Sequence, residues 1–330
     1  MTRAAVTGWG AALPERVVTN AEIADSLGVD EEWIRARTGI SARRVAAPAD
    51  TSSSLATRAA IAALDAAGVD AADLDHVIVA TSTPDHQLPA TAPLVQAAIG
   101  ARRAGAFDVG AACAGFLYAL AQANALVCSG MARNVLVCGA DVMSRVTDRA
   151  AAGTAILFGD GAGAAVVTAT DDDDFLGPFV LRSDGSGAPL LNIPPGEEMM
   201  LMHGREVYRH AVEAMTSALR EILVVGDVRV DELRLVVAHQ ANARILEAVA
   251  GRLGIERARM VMDIARVGNT SAASIPLALV EAHAQGLVVE GDRIALTAFG
   301  AGFVWGAGLM TWRAPVVAQT RPVEAVLTDA

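Results

Sequence analysis

No lysine occurs in the 330-residue sequence; the 26 lysine-plus-arginine positions are all arginine. That absence excludes a pyridoxal-phosphate Schiff base, an amine nucleophile and a P-loop lysine on a nucleotide phosphate. Aromatic residues contribute only 4% against a hydrophobic content of 53%, so the core must be built from Ala, Val, Leu and Ile. Positive charge is also scarce: 37 acidic residues leave a formal charge of -11, without the basic balance of a nucleic-acid binder. No unbroken apolar run approaches the ~18 residues of a membrane span, so no membrane partner is expected. The opening MTRAAVTGWGAALP is too short in its apolar stretch for a signal peptide and fits a buried strand. Cysteines are few and odd in number. Cys113, Cys128 and Cys138 lack metal-ligand spacing, so neither a disulfide framework nor a bound metal is expected. Together these absences point to a soluble, cytoplasmic enzyme.

What is present is an alternation of β-branched runs with Ala-rich stretches, the pattern of an α/β fold. Strands are expected at Ala4–Gly8, His76–Thr81, Ala106–Val109, Asn134–Gly139 and Gly163–Thr168, then at Phe179–Arg182, Leu233–Ala238, Arg293–Phe299 and Gly302–Thr311. Helices are expected at Thr51–Ala67, Ala90–Ile99, Ala114–Ser129, Glu206–Val224, Ala243–Leu253 and Ala272–Gln285. The two series resemble each other. DLDHVIVAT from Asp73 has its counterpart in DELRLVVAH from Asp231, and RNVLVCGA from Arg133 in DRIALTAF from Asp292. Each half closes on a glycine-rich turn entering a strand, FGDGAGAAVV from Phe158 and FGAGFVWG from Phe299. An internal duplication is the reading, with halves at residues 1–170 and 171–330. The aspartate run Asp171–Asp174 serves as a solvated connection, and the tail from about Arg313 is peripheral.

Chemistry concentrates at three turns. In FDVGAACAGFLYAL from Phe107, Cys113 falls where a helix begins, a position that lowers a thiol's pKa, among small neighbours that admit a substrate. A buried structural cysteine is the competing reading, and it fits Cys128 and Cys138. In LVVAHQAN, His239 ends a strand and opens a helix, at the carboxyl end where open sheets place their sites. In VGNTSAASIP, Asn269 is either a functional amide or a simple helix cap. The three make a plausible nucleophile with two hydrogen-bond donors, but spacing does not prove that they meet.

The set CAGF at Cys113, HQAN at His239, GNTSAAS from Gly268 and FGAG at Phe299 resembles the β-ketoacyl-ACP synthase III family of condensing enzymes. FGDGAGAAVV from Phe158 and EEWIRARTGI from Glu31 extend the resemblance over roughly residues 3 to 312. Sister families differ by residues missing here. Thiolases carry a late second cysteine, and none follows Cys138; elongating ketoacyl synthases carry a histidine where this chain has Asn269. Plant-type polyketide synthases share Cys-His-Asn without the HQAN and GNTSAAS wording. A catalytically silent condensing partner would have lost the nucleophile.

The resemblance implies the duplicated five-layered α-β-α-β-α thiolase fold and a homodimer. It also implies a decarboxylative Claisen condensation, with acyl-CoA and acyl carrier protein as substrate partners and no cofactor beyond the CoA thioester itself. Cys113 would take the acyl group, and the backbone N–H groups of Cys113 and Ala301, in the Gly300-Ala301-Gly302 turn, would form an oxyanion hole. His239 Nε2 and Asn269 Nδ2 would hold the malonyl thioester carbonyl while CO2 leaves, with Phe299 packed beside the thiol. The CoA positions fall on Trp33, Arg37 and Asn242. An arginine expected just before Gly153 is Ala152 here, so the adenine end is either weaker or remodelled around Arg149. Leu88 would gate the acyl pocket from across the dimer, and the flap between Ser183 and Gly204, shorter than usual, would open one wall. Arg205, Arg209, Arg244 and Arg252 would dock the carrier. The setting is initiation of type II fatty-acid synthesis or, alternatively, starter priming or acyl transfer in a polyketide or other specialised pathway.

Overall fold

The computed structural model describes residues 2–172, 176–313 and 316–317. Asp173, Asp174 and all of the tail beyond Arg313 except 316–317 lie outside the described residues. In chain order the strands of the N-terminal half are β1 (Arg3–Ala12), β2 (Arg16–Thr19), β3 (Ala42–Val45), β4 (His76–Ala80), β5 (Gly105–Val109), β6 (Asn134–Val142) and β7 (Asp160–Thr170). Those of the C-terminal half are β8 (Leu176–Ser183), β9 (Leu191–Asn192), β10 (Leu201–Met202), β11 (Leu235–Ala238), β12 (Arg293–Gly300), β13 (Val304–Thr311) and β14 (Val316–Val317). The helices are α1 (Asn20–Leu27), α2 (Glu31–Thr38), α3 (Ser52–Ala67), α4 (Thr91–Ala98), α5 (Gly115–Cys128), α6 (Ala152–Ala155), α7 (Gly204–Val225), α8 (Ala243–Leu253), α9 (Ile264–Val267) and α10 (Ser274–Ala284).

The duplication appears as repeated topology. The first sheet runs β14-β1-β7-β6-β4-β5 and the second β11-β12-β13-β8. In each, a parallel pair (β4 with β6, β11 with β12) is followed by two antiparallel pairings. The fold is the expected thiolase-type α/β architecture in five layers. α3 and α4 cover the outer face of the first sheet. α7 and α8 cover the outer face of the second. Between the sheets lie α5 and α10, whose residues, apolar almost all round, suit a position walled on both sides by sheet.

Small residues let these layers approach. A Cβ on Gly8 would sit 2.3 Å from the Ala63 carbonyl oxygen, so β1 accepts α3 only as glycine and alanine surfaces in contact. The scarcity of aromatics is explained the same way: thin side chains permit helix–sheet spacing too close for rings. The central layer keeps one aromatic cluster, with Trp9 stacked on Trp312 at 5.6 Å. Among the described residues no helix is long and apolar enough to cross a membrane.

Both middle helices begin at the same place. α5 is entered by a 3-10 turn at Ala112–Ala114 and α10 by one at Ser271–Ala273. Ala112 has φ +44° and Ser271 φ +51°, left-handed values that non-glycine residues seldom adopt. The two strained turns are related by the duplication and meet between the sheets, and the candidate residues are gathered around them.

Candidate active site

A cavity of about 700 Å³ takes in Cys113, His239 and Asn269 together with Phe299, Gly300 and Ala301. Trp33, Arg37, Asn242, Arg205 and Arg244 also line it, and the exposure of the three arginines puts its mouth beside α2, α7 and α8. Sequence spacing could not show that the three turns meet; the pairing of the two halves makes them do so.

Cys113 sits in the middle of the first strained turn, partly open to the cavity. The end of β12 presses on that turn: a Cβ on Gly300 would lie 2.8 Å from the Cys113 backbone nitrogen and 3.0 Å from that of Ala114. Only glycine allows the Gly300-Ala301 backbone to come this close to the Cys113 amide. The Ser271 hydroxyl lies 3.4 Å from the Cys113 sulfur. Contrary to the expectation from a helix start, burial pushes the Cys113 thiol up to about 12, and the nearby Asp141 carboxylate adds to the rise. The helix terminus is outweighed because a thiolate here loses most of its water.

His239 follows β11 and is 2% exposed. It does not open a helix as expected: α8 starts at Ala243, capped by the Asn242 side chain, which accepts from the Arg244 N–H at 2.9 Å. Burial holds the His239 imidazole down to about 3, so it is neutral at any working pH. Its Nδ1 is 2.7 Å from Ser274 Oγ, and that oxygen accepts the Gln240 N–H at 3.3 Å. With the Ser274 hydroxyl donating to Nδ1, Nε2 is the protonated nitrogen, the tautomer that a donor role for this ring requires. Gln240 fixes the turn from below, donating to the carbonyls of Ala238 and Val261 and accepting from the Asp263 and Ile264 amides.

Asn269 is held by the second strained turn. Its Oδ1 accepts the Ser271 N–H at 2.9 Å, which assigns the amide orientation and leaves Nδ2 to donate. The cap reading and the functional reading of this residue are thus compatible: the cap uses one end of the amide and frees the other.

The outer residues divide. Arg37 stacks on Trp33, with Cζ 4.1 Å from the ring, and Asn242 Nδ2 donates to the Arg37 carbonyl at 3.0 Å. Ala152 lines the main cavity, but Arg149 does not; it lines a neighbouring cavity of about 260 Å³ with Arg16 and Arg43, across Phe158. Leu88 is 87% exposed and outside the cavity, as are Gly302, Arg209 and Arg252. Residues 191–202 form the β9–β10 hairpin, and Leu191, Ile193, Met200 and Met202 supply an apolar wall at the place expected to be open. Sequence reading missed Asp141, Ser271, Ser274 and Gln240. The wording GNTSAAS contained both serines, but only the fold shows which atoms they touch.

Two family models match: one described as 3-oxoacyl-[acyl-carrier-protein (ACP)] synthase III over residues 107–185, and its C-terminal counterpart over residues 225–312. A β-ketoacyl-[acyl-carrier-protein] synthase III of Roseiflexus sp. (strain RS-1) is 45% identical over 325 residues, 94% of this chain and 99% of that protein. The crystal structure of 3-oxoacyl-(acyl carrier protein) synthase III from Pseudomonas aeruginosa PAO1 superposes with TM-score 0.92 at 42% identity, covering 96% and 99% of the two chains. The priming β-ketosynthase of the R1128 polyketide biosynthetic pathway gives TM-score 0.91 at 38% identity, covering 95% and 97%.

Proposed function

The chain belongs to the β-ketoacyl-ACP synthase III family, and from that premise we propose that it condenses an acyl-CoA starter with malonyl-ACP to give 3-oxoacyl-ACP and CO2, initiating type II fatty-acid synthesis. The observation that carries this reading is the convergence of Cys113, His239 and Asn269 on one cavity. Cys113 attacks the acyl thioester and expels CoA. In this reading the oxyanion is met by the amides of Cys113 and Ala301; the close approach of Gly300, next to Ala301, to the Cys113 backbone supports it. Malonyl-ACP then enters. His239 Nε2–H and Asn269 Nδ2–H donate to its thioester carbonyl, and this stabilises the enolate as CO2 departs. The carbanion attacks the acyl-Cys113 carbonyl and releases the Cys113 sulfur. Phe299, packed on Phe303 at 4.8 Å, keeps water from the enolate.

At the mouth, the face of Trp33 not covered by Arg37 takes the adenine of CoA, and Arg37 meets its phosphates. The carrier docks on exposed Arg205 and Arg209 of α7 and Arg244 and Arg252 of α8. Arg244 leans over Tyr208 at 5.8 Å, which fixes it at the mouth. Arg244→Glu is expected to slow condensation with malonyl-ACP by about tenfold while changing self-acylation little, since rim charges act on encounter. Equal loss in both half-reactions would overturn the docking assignment.

A homodimer is part of this reading. β5 is an edge strand carrying the half-exposed Phe107, and its Asp108 carboxylate accepts the Thr91 and Ala92 amides, tying the exposed Leu88 loop to the same edge. Pairing of β5 with its copy would cover this edge and carry Leu88 to the partner's acyl pocket. Sedimentation at micromolar concentration should return twice the chain mass; a monomer there would remove Leu88 from the site.

The direct test incubates the protein with a panel of acyl-CoAs, reads Cys113 acylation by intact mass, then adds malonyl-ACP and follows the 3-oxoacyl product. Acylation followed by ester or amide formation without CO2 would overturn condensation. Ala152 in the cavity wall favours one second reading, starter priming in a specialised pathway, which would show as preference for bulky starters over acetyl.

A further inference from the structure

The Cys113 sulfur carries negative charge twice in the proposed reaction, before it attacks and when it is expelled. Burial disfavours that charge, and the Asp141 carboxylate on β6 adds to the cost. The arginines that line the cavity, Arg37, Arg205 and Arg244, stand at its mouth, and His239 is neutral. The Ser271 hydroxyl is placed differently. It is fully buried and donates to the sulfur at 3.4 Å. A thiolate has no proton to give, so in that state the hydroxyl can only be the donor.

The fold fixes this hydroxyl from three sides. The Ser271 N–H donates to Asn269 Oδ1 at 2.9 Å, and the next amide, that of Ala272, donates to Asp141 Oδ2 at 3.0 Å. Asp141 is anchored in turn through Oδ1, which accepts from Thr81 Oγ1 at 3.1 Å, the Ser82 amide at 2.6 Å and Thr83 Oγ1 at 3.1 Å. Both bonds to the turn use backbone amides, so they leave the Ser271 hydroxyl for the sulfur. The third side is β6, which admits the turn only because position 139 is glycine: a Cβ there would lie 2.4 Å from the Ala272 carbonyl oxygen. Ser271 is held at φ +51° and is the counterpart of Ala112, at φ +44°, in the other half. One left-handed residue precedes the nucleophile, and the other sets a hydroxyl against it. Such strain persists only where the surroundings over-determine it.

We propose that Ser271 is a further catalytic residue, whose hydroxyl donates a hydrogen bond to the Cys113 sulfur whenever that sulfur is anionic. The proposal rests on the reading of Cys113 as the acyl acceptor. The thiol proton leaves to water through the cavity, and the hydroxyl stabilises the thiolate that remains. The sulfur's electron pair then forms the bond to the acyl carbon while the bond from that carbon to the CoA sulfur breaks. CoA departs with that pair as its thiolate and takes a proton from water. In the second half-reaction the carbanion left by CO2 forms the carbon–carbon bond. The bond from the acyl carbon to Cys113 breaks, and the sulfur, again an anion, is received by the same hydroxyl. Ser271 keeps its own proton throughout.

The test follows carboxamidomethylation of Cys113 by iodoacetamide between about pH 7 and 9 on the full chain. It is read by peptide mass, because the exposed Cys128 also reacts. Loss of the donor lowers the thiolate population more than it raises nucleophilicity, so Ser271→Ala should react about five- to tenfold more slowly than wild type at each pH. Ser271→Gly separates the hydroxyl from the backbone. Alanine keeps the left-handed strain and glycine relieves it, so loss of the donor gives the same fall in both. The limiting rate of self-acylation should fall by a similar factor, with the half-saturating acyl-CoA concentration unchanged within about twofold. Equal or faster alkylation in both variants overturns the proposal. A fall in only one of them does so too, as does an acylation defect that lies wholly in the half-saturating concentration. Should Ser271→Ala not fold, Ser271→Gly decides against wild type by the alkylation rate and the same split. A wild-type protein that no acyl-CoA acylates would defeat the functional reading instead, and the alkylation rates would still report on the hydroxyl.

Discussion

Cys113→Ala is expected to abolish self-acylation by acyl-CoA and to lower condensation by about 10³-fold or more, with the fold retained. The other two cysteines offer no substitute. Cys128 is exposed at the end of α5, and Cys138 is buried in β6; neither lines the cavity. Alanine at position 113 removes only the sulfur from a residue that borders open space, so the packing loss is small. Malonyl-ACP decarboxylation should survive in this variant, because the donors His239 and Asn269 remain in place. A mass adduct that still forms at the wild-type rate would show that another group is the acyl acceptor.

The second large effect is expected at the enolate site. His239→Ala should leave acylation of Cys113 measurable at a near-normal extent while condensation falls by about 10²–10³-fold, the usual loss for one preorganised donor. The split between half-reactions is the readout. If the imidazole instead served as the base for the thiol, acylation would fail first. The pH dependence carries a sign that can be checked as well. Burial holds the folded His239 at about 3 against an ordinary 6.5, so no histidine limb should appear in condensation between pH 5 and 8. Between pH 6.5 and 3 the unfolded chain binds a proton there that the folded chain refuses. Stability contributed at this position therefore falls as pH drops through that window and is constant above it. His239→Asn should remove that part of the acid slope.

The two halves of this site differ in how far the sequence reveals them. CAGF, HQAN and GNTSAAS place a thiol, an imidazole and an amide on turns at the ends of strands, and each motif is local. The turns meet because β4–β6–β7–β1 and β11–β12–β13–β8 repeat one topology and bury α5 and α10 between them. The repeat itself was legible, since DLDHVIVAT and DELRLVVAH share the register of a buried parallel strand. The ribbon β2–β3 and the hairpin β9–β10 were not, because two- to four-residue strands carry too few alternations to stand out from loop.

Charge shows the same division. The missing lysine settled from the sequence alone that no amine takes part, and that cationic contacts at the cavity mouth fall to Arg37, Arg205 and Arg244. It could not place Arg149, which the fold turns into a different cavity. Nor could it give the state of Cys113. A helix start is a local feature and argues for a lowered thiol, whereas the two packed sheets strip water from it and bring Asp141 near, and that raises it. Residue types, element order and the identity of the reacting groups are local properties of the chain and can be read from it. Desolvation, left-handed turns and the contacts of Ser271 with Cys113 and of Ala272 with Asp141 sum over residues more than a hundred positions apart, so only the tertiary structure decides them.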